Sequence, residues 1–389
     1  MTMMRKFMSN RNWCCEVFIC LICSGCASTI SRLGGVSGTE IQRALSGEVL
    51  FGNAAGKLEL PTDDVFALTP EVIAFIDEVT DGIHSDQRKL RVLLEAIFDH
   101  GHLALQYDDA ATFTAQQVFS EHKANCLSFT TFMVPVLRYM GIKASFNEVA
   151  VPPVWDLRNR DTLILYQHVN VLIEWHDGSR QVVDINMREY EIHYEQEVIA
   201  DQVAEAQYFS NRAMQHLMND QHEDAFRYLR KALDLAPEAS FLWVNLGAIY
   251  RDQGYLETAE IAYRRALALA PGSLVAVSGL ERVYQALGKT TEAGYLQRQV
   301  EHYRNSNPYY LYTQAMSAYV AHEYNVALES INKAIRAYAR EHRFHFLLGA
   351  IYSALGDLRR SKLSLRRALE LTSDQEQARR YKNKFDMLL

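Results

Sequence analysis

The stretch LWVNLGAIYRDQGYLETAEIAYRRALALAP, residues 242–271, decides the fold of the C-terminal half. The unit before it ends in KALDLAP at Pro237, so Pro237 and Pro271 are 34 residues apart. A fixed period of this length indicates an internal repeat. Large and small residues alternate at set places within the stretch; they are Trp243, Leu246, Gly247, Tyr250, Ala259, Tyr263 and Ala266.

These residues and their period resemble the tetratricopeptide repeat. Frames that begin at 206, 240, 274, 308 and 342 follow one another, which predicts five repeats over residues 206–375. Two positions of the frame are almost always small. The residues at its twentieth position are Ala225, Ala259, Ala293, Ala327 and Ser361, and those at its twenty-seventh are Ala232, Ala266, Val300, Ala334 and Ala368.

The resemblance implies an all-α solenoid of stacked helix pairs. One pair cannot bury its own apolar face, so neighbouring pairs stack and share a core. Small residues let the helices approach closely, and large residues fill the space between them. We expect a capping helix at 376–389 and a concave groove that takes a protein or peptide partner.

The first 26 residues have the pattern of a targeting segment. A basic start is followed by the short apolar run VFICLIC at 17–23 and by SGCAS at 24–28. The run is too short for a membrane-spanning helix and suits a secretory signal. Small residues before Cys26 resemble a bacterial lipobox, which implies lipidation of Cys26, a membrane anchor and an outer-membrane protein that faces the periplasm. An uncleaved anchor, an ordinary signal peptide and a cytosolic N-terminus are the alternatives.

Composition excludes some classes of function. The chain has 389 residues, a net charge of −7 and 49% hydrophobic residues, which is typical of globular domains and argues against a nucleic-acid partner. The Gly-, Ser- and Thr-rich segment 27–60 is predicted to be a tether. Five of the six cysteines precede residue 27 and the sixth is Cys126, so the body of the chain has no cysteine pair for a disulfide.

Residues 61–200 do not repeat and change from helical to strand patterns. Thr69 and Pro70 predict the start of one helix, and apolar spacing predicts a second over 86–99. A buried helix is expected to begin at Cys126. QHVNVLIEW at 167–175 and RQVVDINM at 180–187 flank the turn signal HDGS, which predicts an antiparallel hairpin.

Three side chains in this segment suit nucleophilic catalysis. The dipole of a helix favours thiolate at Cys126, His168 opens one strand, and Asp184 lies on the next. His168 can accept the proton of the thiol, and Asp184 can fix the imidazole tautomer. Hairpin register places the neighbour of His168 near residue 187, with Asp184 on the diagonal. Trp155, in the loop before the strand of His168, is a candidate substrate-binding residue.

The motifs NCLSFT, HVNVLI and VVDIN, in that order, resemble the transglutaminase-like branch of papain-fold cysteine enzymes. The resemblance covers residues 70–190 and implies an α+β papain-like domain over 61–200 that needs no cofactor. It implies hydrolysis or acyl transfer at an amide bond through Cys126, His168 and Asp184. The sequence does not choose between the two reactions.

Other interpretations of these residues stay open. A lone buried cysteine is often a small core residue, and a strand histidine is often structural. Cys126, His168 and His176 lack a recognisable ligand spacing, so the sequence predicts no metal site. The leading hypothesis is an exported thiol enzyme whose repeats recruit a protein partner. The alternative is a non-catalytic envelope scaffold built on the same repeats.

Overall fold

The structure is a computed structural model that describes residues 35–99, 101–149, 154–155, 163–164, 168–186, 195–372, 379 and 382. The predicted signal at 1–26 and the capping helix at 376–389 lie outside these residues, apart from positions 379 and 382. No helix within the described residues is long and apolar enough to cross a membrane.

The first part of the chain folds as helices followed by strands. Its helices are α1 Gly38–Ser46, α2 Glu48–Phe51, a 3₁₀ helix Gly52–Lys57, α3 Pro70–Thr80, α4 Asp86–Phe98, α5 Ala115–Glu121 and α6 Cys126–Tyr139. Its strands are β1 Gln106–Tyr107, β2 Lys123–Ala124, β3 Ala144–Val149, β4 Val154–Trp155, β5 Leu163–Ile164, β6 His168–Glu174, β7 Arg180–Val183 and β8 Gln196–Ile199.

Local signals in the sequence fix several helix starts. Thr69 accepts a hydrogen bond from the Val72 amide before α3, and Pro70 is the first residue of that helix. Thr114 and Gln117 form a capping box at the start of α5. Helix α6 begins at Cys126, as the sequence predicts, and it continues through Pro135 to Tyr139.

The main sheet has four strands in the order β7-β6-β3-β8, and each neighbouring pair is antiparallel. Strands β6 and β7 form the predicted hairpin, with Val171 opposite Val183. The helices and this sheet give an α+β arrangement in which α6 lies against β6 and β3. Helix α6 is almost entirely buried, because ten of its 14 residues are shielded from solvent.

The second part of the chain consists of five helix pairs. They are α7 Asp201–Met218 with α8 His222–Leu235, α9 Ser240–Asp252 with α10 Leu256–Leu269, α11 Leu274–Ala286 with α12 Thr290–Ser306, α13 Pro308–Val320 with α14 Tyr324–Ala337, and α15 His342–Ala354 with α16 Leu358–Leu371. All ten residues at the two small positions of the frame are buried. Ser361 replaces alanine there and donates a hydrogen bond to the Gly349 carbonyl at 2.8 Å.

The predicted tether differs from the structure over residues 35–57, which form helices packed on the repeats. Tyr250 donates a hydrogen bond to the Ala44 carbonyl at 2.6 Å, and the rings of Phe51 and Phe226 lie 5.5 Å apart. These partners are about 200 residues away in sequence, so no local sequence pattern predicts the contact. The packing places the segment against α8, α9 and α10.

Two apolar cores are found among the described residues. One is a single connected cluster whose members lie between Ala44 and Val300 in the sequence, and it joins the sheet, α6 and the first three helix pairs. The other lies within the last two pairs and includes Phe344 and Leu347. The first helix pair is therefore part of the same packed body as the α+β region.

The packing around the buried Tyr263 ring can be tested by substitution of the glycines that contact it. A Cβ on Gly247 would lie 2.8 Å from this ring, and a Cβ on Gly279 would lie closer still. We expect Gly279→Ala to destabilise the protein by about 1–3 kcal/mol, because the enclosed ring has no room to move. Thermal unfolding measures the effect.

The matched control is Gly294→Ala in α12, where only the Arg298 guanidinium comes near, at 3.8 Å. There the helix preference of alanine acts alone, so we expect a small gain in the unfolding midpoint. Equal midpoints for Gly279→Ala and Gly294→Ala would contradict the close packing of Tyr263.

Candidate functional site

Cys126 is the first residue of α6, and its neighbours fix the start of that helix. The Asn125 side chain accepts a hydrogen bond from the Ser128 amide at 2.8 Å and so caps the helix. The first amides of a helix have no intrahelical acceptor, so the Cys126 N–H is not used within α6. Cys126 itself is a free, half-buried thiol.

His168 lies at the first position of β6 beside the start of α6. Thr130 joins the two elements, because its hydroxyl donates to the carbonyls of Cys126 at 2.8 Å and of Val169 at 3.1 Å. The His168 side chain is only 4% exposed. Its ring makes hydrogen bonds to the side chains of Asp184 and Cys126.

Asp184 follows the last residue of β7 and is 1% exposed. One carboxylate oxygen is bonded to Nε2 of His168, and the other accepts the Asn186 amide at 2.9 Å. Because Nε2 is occupied, Nδ1 is the ring nitrogen available to the sulfur of Cys126. The structure therefore brings the three predicted side chains together in the order carboxylate, imidazole, thiol.

The charge of His168 is set by these contacts. Burial lowers the pKa of the imidazole, but the hydrogen bonds and charges of Asp184 and Cys126 outweigh burial and raise the pKa to about 10 from its ordinary 6.5. An imidazolium between a carboxylate and a sulfur stabilises negative charge on the sulfur. This arrangement places a thiol beside a charged imidazole that can donate a proton.

A row of buried amides continues from the triad across the sheet. Asn170 lies on the same face of β6 as His168, since residues two apart share a face. The Asn147 amide donates to Asn170 at 2.8 Å and to Gln196 at 3.0 Å. Asn147 and Asn170 are both fully buried.

Trp155, the predicted substrate-binding residue, belongs to the two-residue strand β4, and its side chain lies outside the described residues. The strand pairs with β5, and the two approach α13 and α11 of the repeats. Trp155 as a substrate contact stays a prediction.

An open cleft lies at the other end of β6. Its volume is about 300 Å³, and it is lined by charged residues that include Lys143, Glu174 and Arg180. Glu174 pairs with both cations, and its distance to Arg180 is 3.1 Å. Because β6 rises about 3.3 Å per residue, this cleft is about 20 Å from His168 and is separate from the triad.

No group of three or more His, Cys, Asp and Glu side chains able to hold a metal is found in the described part of the chain. A nucleophile, a base and an orienting group in hydrogen-bond contact suit acyl transfer.

Comparisons with known proteins identify the repeats. A sequence model of the tetratricopeptide repeat matches residues 240–273, and a second model of the same repeat matches residues 342–375. The chain contains tetratricopeptide repeats. Both matches lie within the predicted frames, so the repeat prediction is confirmed there. No curated protein matches the chain.

Solved structures with similar repeats include MamA from Desulfovibrio magneticus RS-1 and YrrB, a tetratricopeptide-repeat protein with an unusual peptide-binding site. MamA is 17% identical, and the match covers 45% of this chain and 97% of MamA with a TM-score of 0.26. YrrB is 20% identical, with 46% and 92% covered and a TM-score of 0.24. Scores this low carry no argument about function.

The raised pKa of His168 predicts a titration that nuclear magnetic resonance can follow. We expect the wild-type imidazole to stay charged through neutral pH and to lose its proton near pH 10. Asp184→Asn should lower this pKa, because the negative charge that stabilises the imidazolium is lost while the effect of burial remains. A wild-type midpoint near 6.5 would contradict the contacts described above.

The same shift predicts how stability depends on pH. A pKa raised in the folded state stabilises the protein fully below the unfolded value of about 6.5, and this contribution disappears as pH rises towards 10. The stability advantage of the wild type over Asp184→Asn should therefore shrink between pH 6.5 and 10. Urea denaturation at several pH values measures it.

Proposed function

We propose that this chain binds a protein or peptide partner through its tetratricopeptide repeats and acts on an acyl group through Cys126. The observation that carries the second half is the hydrogen-bonded contact of His168 with both Asp184 and Cys126. The proposal includes the resemblance of residues 61–200 to transglutaminase-like cysteine enzymes.

The proposed reaction uses the three side chains in sequence. The Cys126 sulfur attacks the carbonyl carbon of an amide or peptide bond, and His168 holds the proton taken from the thiol. The C–N bond then breaks, the leaving amine takes that proton, and an acyl thioester remains on Cys126. Water or a second amine attacks the thioester, returns a proton to the imidazole and frees the thiol.

The start of α6 supports this chemistry by its own geometry. The Cys126 N–H has no intrahelical acceptor and can donate to the oxyanion that forms on the carbonyl. Loss of one such donor reduces rates by roughly 10²–10³ in other enzymes. Asp184 is held by the Asn186 amide, so the imidazole has a fixed partner throughout.

The repeats supply the binding function. Tetratricopeptide arrays offer a concave surface of stacked helices on which a protein or peptide can bind. The repeat array of this chain is packed onto the α+β region through α7. A partner held by the repeats would therefore lie at a fixed distance from Cys126, which raises its effective concentration there.

The alternative function is a non-catalytic scaffold. The comparisons favour it over the enzyme, because both matched models describe repeats and neither includes residues 61–200. In a scaffold the three polar side chains would only stabilise the packing of α6 on β6. The two functions differ in whether the Cys126 sulfur reacts.

The reactivity of Cys126 decides between the two functions. In the enzyme, iodoacetamide should label Cys126 of the folded protein at neutral pH at least ten times faster than it labels the His168→Gln variant, since a catalytic base contributes about 10²–10⁴. Mass spectrometry of the Cys126 peptide measures this rate apart from the other five cysteines.

Cys126→Ser is the matched control and should carry no label at position 126. Equal rates for the wild type and His168→Gln would support the scaffold. Capture of the same cellular partners by Cys126→Ala and by the wild type is expected in both cases, because the repeats do not include Cys126.

We also propose that the protein is exported and anchored to the outer membrane by lipid on Cys26, facing the periplasm. The support is the signal-like pattern that precedes Cys26 in the sequence. Metabolic labelling with a fatty-acid analogue should mark the wild type and leave Cys26→Ala unlabelled. Labelling of both proteins, or of neither, would overturn the anchor.

A further inference from the structure

We propose that Gln215, on the first repeat helix, is a positioning residue for Cys126. Gln215 holds the loop 110–113, and that loop holds the N-terminus of α6. This inference rests on the proposed reactivity of Cys126. It assigns to the tetratricopeptide repeats a role in the thiol site in addition to partner binding.

Gln215 reaches the loop with both protons of its amide nitrogen. Nε2 donates to the Ala110 carbonyl at 2.9 Å and to the Thr112 hydroxyl at 3.2 Å. The amide oxygen accepts from Arg212 at 3.3 Å, which fixes the orientation of the amide group. A carbonyl can only accept, so the nitrogen must be the end that faces Ala110.

The loop in turn is bonded to the first turn of α6. Thr112 accepts from the Asn125 side-chain amide at 3.0 Å, while the Asn125 backbone amide donates to the Ala111 carbonyl at 3.2 Å. Ser128 donates to the same Ala111 carbonyl at 2.8 Å and accepts from the Phe113 amide at 2.7 Å. These bonds surround the residue before Cys126 and the residue two places after it.

The position of Gln215 is set by the rest of its helix. Arg138 at the end of α6 makes two bonds to Asp201, of 2.6 and 3.0 Å, and Gln207 donates to Glu148 of β3 at 2.6 Å. Asp201, Gln207 and Gln215 thus make three of the contacts between α7 and the α+β region, along about 21 Å of the helix. Gln215 is the one of the three that touches the loop beside Cys126.

The consequence concerns the geometry of the thiol. Asn125 keeps its bonds to the Thr112 hydroxyl and the Ala111 carbonyl only while the loop stays in place. These two bonds fix the orientation of the first turn of α6 relative to His168. Removal of the Gln215 donor should let the loop and the first turn shift together. Reactive groups lose activity with small displacements, so the sulfur should react more slowly.

The experiment compares two isosteric changes on the same helix of the full chain. Gln215→Glu places a carboxylate, which cannot donate, against the Ala110 carbonyl, which can only accept, so the bond between them is lost. Gln207→Glu is the control and breaks a contact of the same helix that does not reach the loop. We expect iodoacetamide labelling of Cys126 to slow about fivefold in Gln215→Glu and to stay near the wild-type rate in Gln207→Glu.

A spectroscopic signature separates positioning from general destabilisation. The Asn125 side-chain amide resonance should move in Gln215→Glu and stay in place in Gln207→Glu. Thr112→Val removes the shared hydroxyl and serves if Gln215→Glu fails to fold. We expect the rate losses of Thr112→Val and Gln215→Glu not to add in the double variant, because both act through one contact.

The outcomes distinguish this inference from the proposed function. If the wild type labels no faster than His168→Gln, the proposed thiol chemistry is wrong. If the wild type labels faster but Gln215→Glu and Thr112→Val match it, the chemistry stands and the role of Gln215 is overturned.

Discussion

The burial of α6 is the constraint on which the rest of the structure depends. A helix with ten buried residues must be covered on several sides, and β6, β3, α5 and α7 provide that cover. Its first residue, Cys126, is half-buried and stays partly accessible to solvent. The same packing brings the start of β6 next to the helix N-terminus. His168 therefore meets the sulfur as a result of how the core is built.

The repeats are joined to this core without a linker. Helix α7 begins at Asp201, two residues after β8 ends at Ile199, and its buried face continues the apolar core from the sheet into the first helix pairs. The last two repeats have a core of their own. The part of the array nearest the thiol is thus fixed to it, and the far part is a separately packed unit.

Much of the fold could be predicted because its signals are local or periodic. The 34-residue frame identifies the helix pairs, and the turn signal HDGS sets the β6–β7 register to within one residue. Val171 pairs with Val183, whereas the predicted register would place position 184 opposite Val171. The predicted register is compatible with the contact of His168 and Asp184 that the structure has. The helices at 35–57 and the role of Gln215 were not predictable. Their partners are about 100 to 200 residues away, and nothing in their own composition points to them.

The contact between the Cys126 sulfur and the His168 imidazole is the central claim, and the titration of His168 in Cys126→Ser tests it most directly. The sulfur contributes to the raised pKa of the imidazole through a hydrogen bond and through its charge. Nuclear magnetic resonance should therefore find a lower His168 pKa in Cys126→Ser than in the wild type. Identical titration curves in the two proteins would show that sulfur and imidazole do not interact, and would contradict the account.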